Sequence, residues 1–208
     1  MRVIPASRSD TTGKLQSVVA AFPRAWDGSV LDVGCRSQEL RSLLGDASRY
    51  CGIDLKPPAD IRADLESGLP VSNRSFHVVI ALDVLEHTED IHAAFAELCR
   101  VADRSVIVSL PNLYKFKARV RFLLGRPVSG KYGLPPETVT DRHRWLFTLG
   151  EAAAFVRGLA AVHGFKLEDE AYMAGPRRSA PLARRLVGTY PSVFAESYLA
   201  HLRRAGGP

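Results

Sequence analysis

Apolar residues along this chain fall into two alternating patterns, short continuous runs and stripes at helical spacing. The runs are Val30-Leu31-Asp32-Val33, Tyr50-Cys51-Gly52-Ile53-Asp54, Phe76-His77-Val78-Val79-Ile80-Ala81-Leu82 and Ser105-Val106-Ile107-Val108-Ser109-Leu110. Runs this short and this apolar suit strands covered on both faces, as in a parallel sheet. They predict strands at 29–33, 50–54, 76–82 and 105–110, with a shorter one at 61–63 after Pro57-Pro58. Between them lie the helical stripes. Leu15, Val18, Val19 and Phe22 predict a helix over 10–22, stopped by Pro23; Leu40, Leu43 and Leu44 predict one near 38–45. Ile91, Ala94, Phe95 and Leu98 predict a third over 91–101. Strands alternating with helices place the chain in the α/β class, as a Rossmann-like, doubly wound, mostly parallel sheet.

Past residue 112 the pattern changes. Residues 113–124 read as a basic helix, and 125–141 carry Gly125, Pro127, Gly130, Gly133, Pro135 and Pro136, the composition of a loop or lid. A helix resumes over 149–162 on Ala152, Phe155, Val156 and Leu159. The segments 165–173 and 192–203 read as strands of an antiparallel C-terminal hairpin, with a short helix near 182–187 between them. There is no internal repeat. The organisation expected is one domain over 1–208, with a lid or substrate excursion at about 113–145.

Composition narrows the class without redirecting it. The chain has 208 residues, 46% hydrophobic and 24% charged, enough for a sizeable soluble core. Cys35, Cys51 and Cys99 lie far apart in apolar segments, which predicts buried free thiols in a reducing compartment rather than a disulfide framework. No apolar run reaches the roughly 18–20 residues that span a bilayer, and the first ten residues lack the apolar middle of a signal peptide. The expected location is the cytoplasm. The net charge is +6, concentrated in Lys115, Lys117, Arg119, Arg121 and Arg126, then in Arg177, Arg178, Arg184, Arg185, Arg203 and Arg204. No zinc knuckle, basic zipper or aromatic-interleaved motif accompanies it, so nucleic acid is not the expected partner.

The candidate chemistry sits at the strand ends. Val30-Leu31-Asp32-Val33-Gly34-Cys35 runs from a buried strand into a glycine turn, and Asp54 ends the next strand twenty residues after Gly34. This is the spacing of a first βαβ nucleotide-binding unit, where the glycine admits the ligand to the backbone and the acid accepts from a ribose diol. Ala63-Asp64-Leu65 follows the third strand, Asp83-Val84-Leu85-Glu86-His87 the fourth, and Pro111-Asn112 ends the fifth.

In this order the chain resembles the class I S-adenosylmethionine-dependent methyltransferases, especially the group of the ubiquinone- and menaquinone-biosynthesis methyltransferases and the methionine-biosynthesis-like proteins. The resemblance is strong over 28–112 and weak over 140–203, where Arg144-Trp145-Leu146-Phe147-Thr148 precedes a helix. It implies S-adenosylmethionine as cofactor. Gly34 and Cys35 would approach its methionine portion, Asp32 would orient that loop and reach the ammonium through water, and Asp54 would hold both ribose hydroxyls. Leu55 would pack on adenine, Asp64 would accept from the adenine amine beside Leu65, and Ala81 and Leu82 would close the site. The chain departs from the family at Arg36-Ser37-Gln38, where members carry glycine at the places of Arg36 and Gln38.

Methyl transfer needs alignment and water exclusion, and an oxygen or nitrogen acceptor also needs a base. His87 and His143 are the candidates, since imidazole titrates near neutrality. Asp83, Glu86 and His87 also resemble the metal site of the RNA 3′-terminal 2′-O-methyltransferases, with His143 as a fourth ligand; whether a metal is bound is left open. The expected acceptor is a small-molecule metabolite, anionic or lipid-like. Three other readings stay open: a non-catalytic partner protein that keeps the cofactor fold, a metal-dependent RNA-end 2′-O-methyltransferase and an NAD-type dehydrogenase. The absence of Gly-x-Gly-x-x-Gly counts against the dehydrogenase.

Overall fold

Successive strand residues point to opposite faces, and here both faces are apolar. Leu31, Val33, Val79, Ala81, Val106 and Val108 pack on one side with Phe95, Leu98 and Val156. Val30, Val78, Ile80 and Ile107 pack on the other with Leu15, Val18, Phe22 and Leu40. Such two-sided burial is what near-continuous apolar runs demand. A computed structural model of the chain describes residues 2–5, 11–45, 48–128, 130–134, 136–137, 139, 141–175 and 180–206. Asp10 at the expected helix start, Pro135 of the expected loop, and Arg177 and Arg178 lie outside these residues.

The elements in chain order are β1 (Arg2–Pro5), α1 (Thr11–Ala21), β2 (Gly28–Val33), α2 (Glu39–Leu44), β3 (Ser48–Asp54), β4 (Ile61–Arg62) and β5 (Phe76–Leu82). Then follow α3 (Ile91–Val101), β6 (Ala102–Pro111), α4 (Phe116–Leu123), α5 (Leu149–Val162), β7 (Phe165–Ala174), α6 (Ala180–Thr189), α7 (Pro191–Phe194) and β8 (Ala195–Arg204). All eight strands form one sheet in the order β1-β7-β8-β6-β5-β2-β3-β4. β8 runs antiparallel to both its neighbours, β6 and β7, and every other pairing is parallel. The expected fold class therefore holds, including the antiparallel C-terminal hairpin.

Three differences from the sequence reading have physical causes. β1 was not expected, because Arg2-Val3-Ile4-Pro5 is too short to show a period; it pairs Arg2 with Ala171 and Pro5 with Ala174 on β7. The last strand starts at Ala195 rather than 192, because Pro191 opens the short helix α7 and proline suits a first helical turn. The helix expected near 182–187 runs over Ala180–Thr189.

The chain reverses its winding between β2 and its neighbours β3 and β5. In open α/β sheets the crevice beyond such a switch point, at the carboxyl ends of the strands, receives ligands.

Candidate active site

A cleft of about 1130 Å³ opens at the carboxyl ends of β2, β3 and β5. Its lining includes Asp32, Gly34, Cys35, Asp54, Leu55, Asp64, Leu65, Leu82 and His87, which are widely separated in sequence. Glu86 and His143 sit in a buried group beside His87. Ala81 is fully buried one residue before the rim.

The turn after β2 is built by backbone. Gly34 has φ +75°, and a Cβ there would stand 2.5 Å from Val84 Cγ2, so a side chain would be both strained and crowded. Gly34 and Cys35 each donate their N–H to the Ile53 carbonyl, at 2.8 and 3.1 Å. Arg36 and Gln38, the two departures from the glycine pattern, adopt φ 50° and 59°. They take up the left-handed conformation a glycine would give, with the side chains left in place. The Arg36 N–H then donates to Asp54 Oδ2 at 2.9 Å and the Lys56 N–H to Asp54 Oδ1 at 3.2 Å. Gln38 is tied down by its amide, which donates to the Pro58 carbonyl. The altered loop thus holds one oxygen of the Asp54 carboxylate at the rim, and the Lys56 backbone holds the other.

Asp32 lies deeper. It is buried and accepts the Tyr50 hydroxyl at 2.7 Å. Burial raises its pKa to about 7, against the pull of the Tyr50 bond, with Glu39 and Asp54 adding to the rise. Burial likewise pushes the Cys35 thiol up to about 12, with Asp32 and Asp54 nearby, so Cys35 is a neutral packing residue and no nucleophile. Asp64 caps the turn at Leu65–Ser67, accepting from the Glu66 N–H at 2.9 Å. Leu65 is buried beneath it, whereas Leu55 is 59% exposed on the cleft wall.

At the end of β5, Asp83 has φ 53° and faces Lys14 of α1. Ser109 donates to Asp83 Oδ1 at 2.8 Å, and Lys14 also donates to Ser109 Oγ at 3.0 Å. Burial would raise the Asp83 pKa, but the Lys14 ammonium and the Ser109 hydroxyl hold it below the usual carboxylate range. Asp83 is therefore committed to Lys14 and stands outside the cluster formed by Glu86, His87 and His143.

That cluster is unusual in what it lacks. Glu86 is fully buried, and neither carboxylate oxygen has a hydrogen-bond partner among the described residues. His143 Nε2 is 3.9 Å and His87 Nε2 4.0 Å from Glu86 Oε1. The two rings meet edge-to-face with centroids 4.6 Å apart. His87 Nδ1 lies 2.9 Å from the Arg142 carbonyl, which assigns that nitrogen the proton and leaves Nε2 as an acceptor. His143 Nδ1 is buried with no partner among the described residues. Burial and then the Asp83 charge push Glu86 well above the usual carboxylate range. Burial lowers both histidines, His143 to about 4, with His87 and Lys131 adding to that fall. At neutral pH the group comprises two neutral imidazoles and an unsatisfied carboxyl.

The segment 141–146 lies along the turn that carries Glu86 and His87. The Arg144 N–H donates to the Glu86 carbonyl at 2.8 Å, Arg144 Nε to the His87 carbonyl at 3.0 Å, and Trp145 Nε1 to the Thr88 carbonyl at 2.7 Å. Tyr132 joins this segment through its hydroxyl, 2.7 Å from the Trp145 carbonyl.

Sequence reasoning missed Lys14, Tyr50, Glu39 and Ser109. Tyr50 carried a signal, since it stands on the same β3 face as Asp32 on β2. Lys14 carried none, because nothing in a surface-like lysine of the first helix points 69 residues ahead.

Residues 31–109 match a family model described as a methyltransferase domain. The fold is similar to the magnesium protoporphyrin IX methyltransferase of Synechocystis PCC 6803 with bound S-adenosylhomocysteine, at TM-score 0.58 and 20% identity, covering 94% of this chain and 82% of that one. It is also similar to an S-adenosylmethionine-dependent methyltransferase from Archaeoglobus fulgidus, at TM-score 0.58, 13% identity and 93% and 95% coverage. The small RNA methyltransferase HEN1 matches at TM-score 0.59 and 18% identity, over 93% of this chain and 25% of that one. No curated protein sequence matches the chain.

Proposed function

The chain carries a class I S-adenosylmethionine-dependent methyltransferase domain, and from that premise we propose that it methylates an oxygen, nitrogen or carbon of a small-molecule metabolite. One observation carries the assignment of the cofactor residues: Asp54, at the end of β3, is held by the Arg36 and Lys56 backbone with its carboxylate at the rim of the cleft. A carboxylate fixed in this way can accept from two vicinal hydroxyls at once. In this reading Asp54 takes the ribose, Leu55 and Leu65 flank the adenine, and Asp64 accepts from its amine. Gly34 and Cys35 give their backbone to the methionine portion, Leu82 closes the wall, and Asp32 faces the ammonium. The cofactor supplies an electrophilic methyl group, so the protein's work is to align the acceptor and exclude water. His143 and His87, neutral at pH 7, are the groups able to take a proton from the acceptor.

The cleft, at about 1130 Å³, exceeds what one drug-sized ligand fills, which leaves room for a small acceptor beside the cofactor. To test this, the protein is incubated with methyl-labelled S-adenosylmethionine and a metabolite extract or total RNA. Label in the low-molecular-weight fraction is expected. Label confined to RNA overturns the small-molecule reading, and no binding of S-adenosylhomocysteine by calorimetry leaves the non-catalytic partner protein in its place.

Asp32 gives this reading a pH signature. With a pKa near 7, its carboxyl is mostly neutral at pH 6 and mostly ionised at pH 8, and only the ionised form attracts an ammonium. S-adenosylhomocysteine binding is therefore expected to tighten by about tenfold from pH 6 to 8. Asp32→Asn should flatten that profile, and an equally steep profile in the variant would show that another group is responsible.

One observation favours a second reading, a metal-assisted transfer. Two neutral imidazoles and a buried carboxyl with no partners fit a borderline divalent ion such as zinc. Glu86, His87 and His143 would hold it, and it would act as a Lewis acid toward an acceptor hydroxyl. Asp83, bound to Lys14, would not take part. Elemental analysis of the purified protein and its thermal midpoint with and without chelator decide the matter. No bound metal and an unmoved midpoint eliminate this reading.

A further inference from the structure

The helix α4 (Phe116–Leu123) is turned inside out. Its one buried residue is Ala118. On the opposite side Phe116, Val120 and Leu123 recur at i, i+4 and i+7 as a stripe facing solvent, extended by Leu124. Phe116 is 56% and Leu123 82% exposed. Phe116 also stacks on Phe194 at 6.2 Å between centroids, which anchors the stripe to α7 without covering it.

Charge flanks this stripe on both sides. Residues 113–136 contain Lys115, Lys117, Arg119, Arg121, Arg126 and Lys131 and no acidic residue. Lys115 and Lys131 are paired with Glu196 and Asp141. Arg119 and Arg121 donate to the backbone carbonyls of Tyr114 and Pro127, which fixes their direction, and neither has an acidic partner among the described residues. On a helical wheel Lys117 and Arg121 fall on one side of the apolar stripe and Arg119 on the other. An apolar ridge bordered by cations, one of them a long-stemmed lysine, is the pattern of a helix lying in a lipid interface. Nucleic acid would use the cations and the exposed rings of Phe116 and Phe122, but aliphatic Val120, Leu123 and Leu124 give it no surface on which to stack bases. A protein partner would need acidic groups around an apolar groove, whereas a lipid surface supplies both with no shape requirement.

We propose that α4, with its exposed Phe116-Val120-Leu123-Leu124 stripe and flanking cations, docks reversibly on an anionic lipid surface. The helix leaves β6 at the rim of the cleft, where Pro111 and Lys115 are lining residues. Docking there sets the mouth of the cleft at the membrane, where an amphipathic acceptor could pass between the two. The proposal goes beyond the methyl-transfer reading and stands whatever the acceptor is.

The test is co-sedimentation of the full chain with vesicles of phosphatidylcholine mixed with phosphatidylglycerol, and with vesicles of phosphatidylcholine alone. Binding to the anionic vesicles only, weakened by added salt, is expected. Leu123→Ser should lower the partition coefficient by roughly tenfold or more, for the loss of a buried leucine. Lys117→Gln should lower it by roughly fivefold, the worth of one cation near such a surface. Both side chains are exposed, so thermal midpoints and S-adenosylhomocysteine affinity should not move, which separates failure of docking from failure of the cofactor reading. Three results overturn the proposal: no binding to anionic vesicles, binding indifferent to Leu123→Ser, and tighter binding to a single-stranded RNA oligomer. A dimer in sedimentation velocity that Leu123→Ser dissociates overturns it as well, because the stripe is then a contact between copies.

Discussion

Asp54→Ala is expected to weaken S-adenosylhomocysteine binding by about 10- to 150-fold, the equivalent of about 1.5–3 kcal/mol for hydrogen bonds to a charged acceptor. The physical basis is the fixed carboxylate at the end of β3, held by the Arg36 and Lys56 N–H groups. Alanine removes the proposed acceptor for the ribose and also frees those two backbone donors, so affinity alone does not separate the effects. A double-mutant cycle with a ligand that lacks both ribose hydroxyls does. The wild-type chain should discriminate strongly between the two ligands and the variant hardly at all. Equal discrimination in both proteins would mean that the ribose is bound elsewhere and that Asp54 only shapes the loop.

The second large effect concerns Glu86. A carboxyl with no partner in a buried site is costly to fold around, and most of that cost applies when it is ionised. Glu86→Leu is expected to raise the stability of the metal-free chain by about 1–3 kcal/mol at pH 8, measured by denaturant unfolding. The sign of the pH dependence follows from the raised pKa. A raised carboxyl pKa means that the native state holds the proton more tightly, so Glu86 favours folding below its ordinary pKa and loses that contribution as pH rises. The gain from leucine should therefore shrink toward pH 5. Asp32, raised to about 7 by burial, tilts the wild-type profile in the same direction, and some slope should survive in the variant. Turnover should fall by about 100-fold or more once the carboxyl that His143 and His87 face is gone. A variant that is less stable at pH 8 would show that Glu86 has partners in solution; one that is stable and fully active would remove the cluster from the chemistry.

A residue kept where it destabilises the fold is retained for another reason, and stability gained at the expense of function is the usual mark of such a site. The Glu86 cluster has that character more clearly than Asp83, whose Lys14 and Ser109 partners account for it structurally.

The sheet was legible because its evidence is local. Residues 76–82 and 105–110 announce buried strands by unbroken apolarity, and α3 (Ile91–Val101) by its stripe ending at Leu98. The cleft residues were legible through the strand ends, since position along a parallel strand fixes which end of the sheet a residue reaches. What failed to show was either very short or very distant. β1 has four residues and a partner some 170 positions away. Lys14 meets Asp83 only because α1 packs over the ends of β5 and β6. The Arg36-Ser37-Gln38 loop was legible as a departure but not as a solution, because composition states which residues avoid left-handed backbone and not when the surroundings impose it. Hydrogen bonds from Arg36 to Asp54 and from Gln38 to Pro58 supply that imposition.

The position of β8 has a consequence for how the molecule is made. It is the last of the described strands, yet it lies in the interior of the sheet between β6 and β7. While the polypeptide is still being synthesised, β2 to β6 can pair with one another, but among the described strands only β8 bridges β7 and β1 to them. They join only when residues 195–204 have emerged and been threaded into the gap. Until then β6 presents a bare apolar edge, a ready template for pairing with another nascent chain. Met173, Gly175, Glu196 and Ser197 also line the cleft, so its far wall and the protection of the β6 edge both wait for β7 and β8.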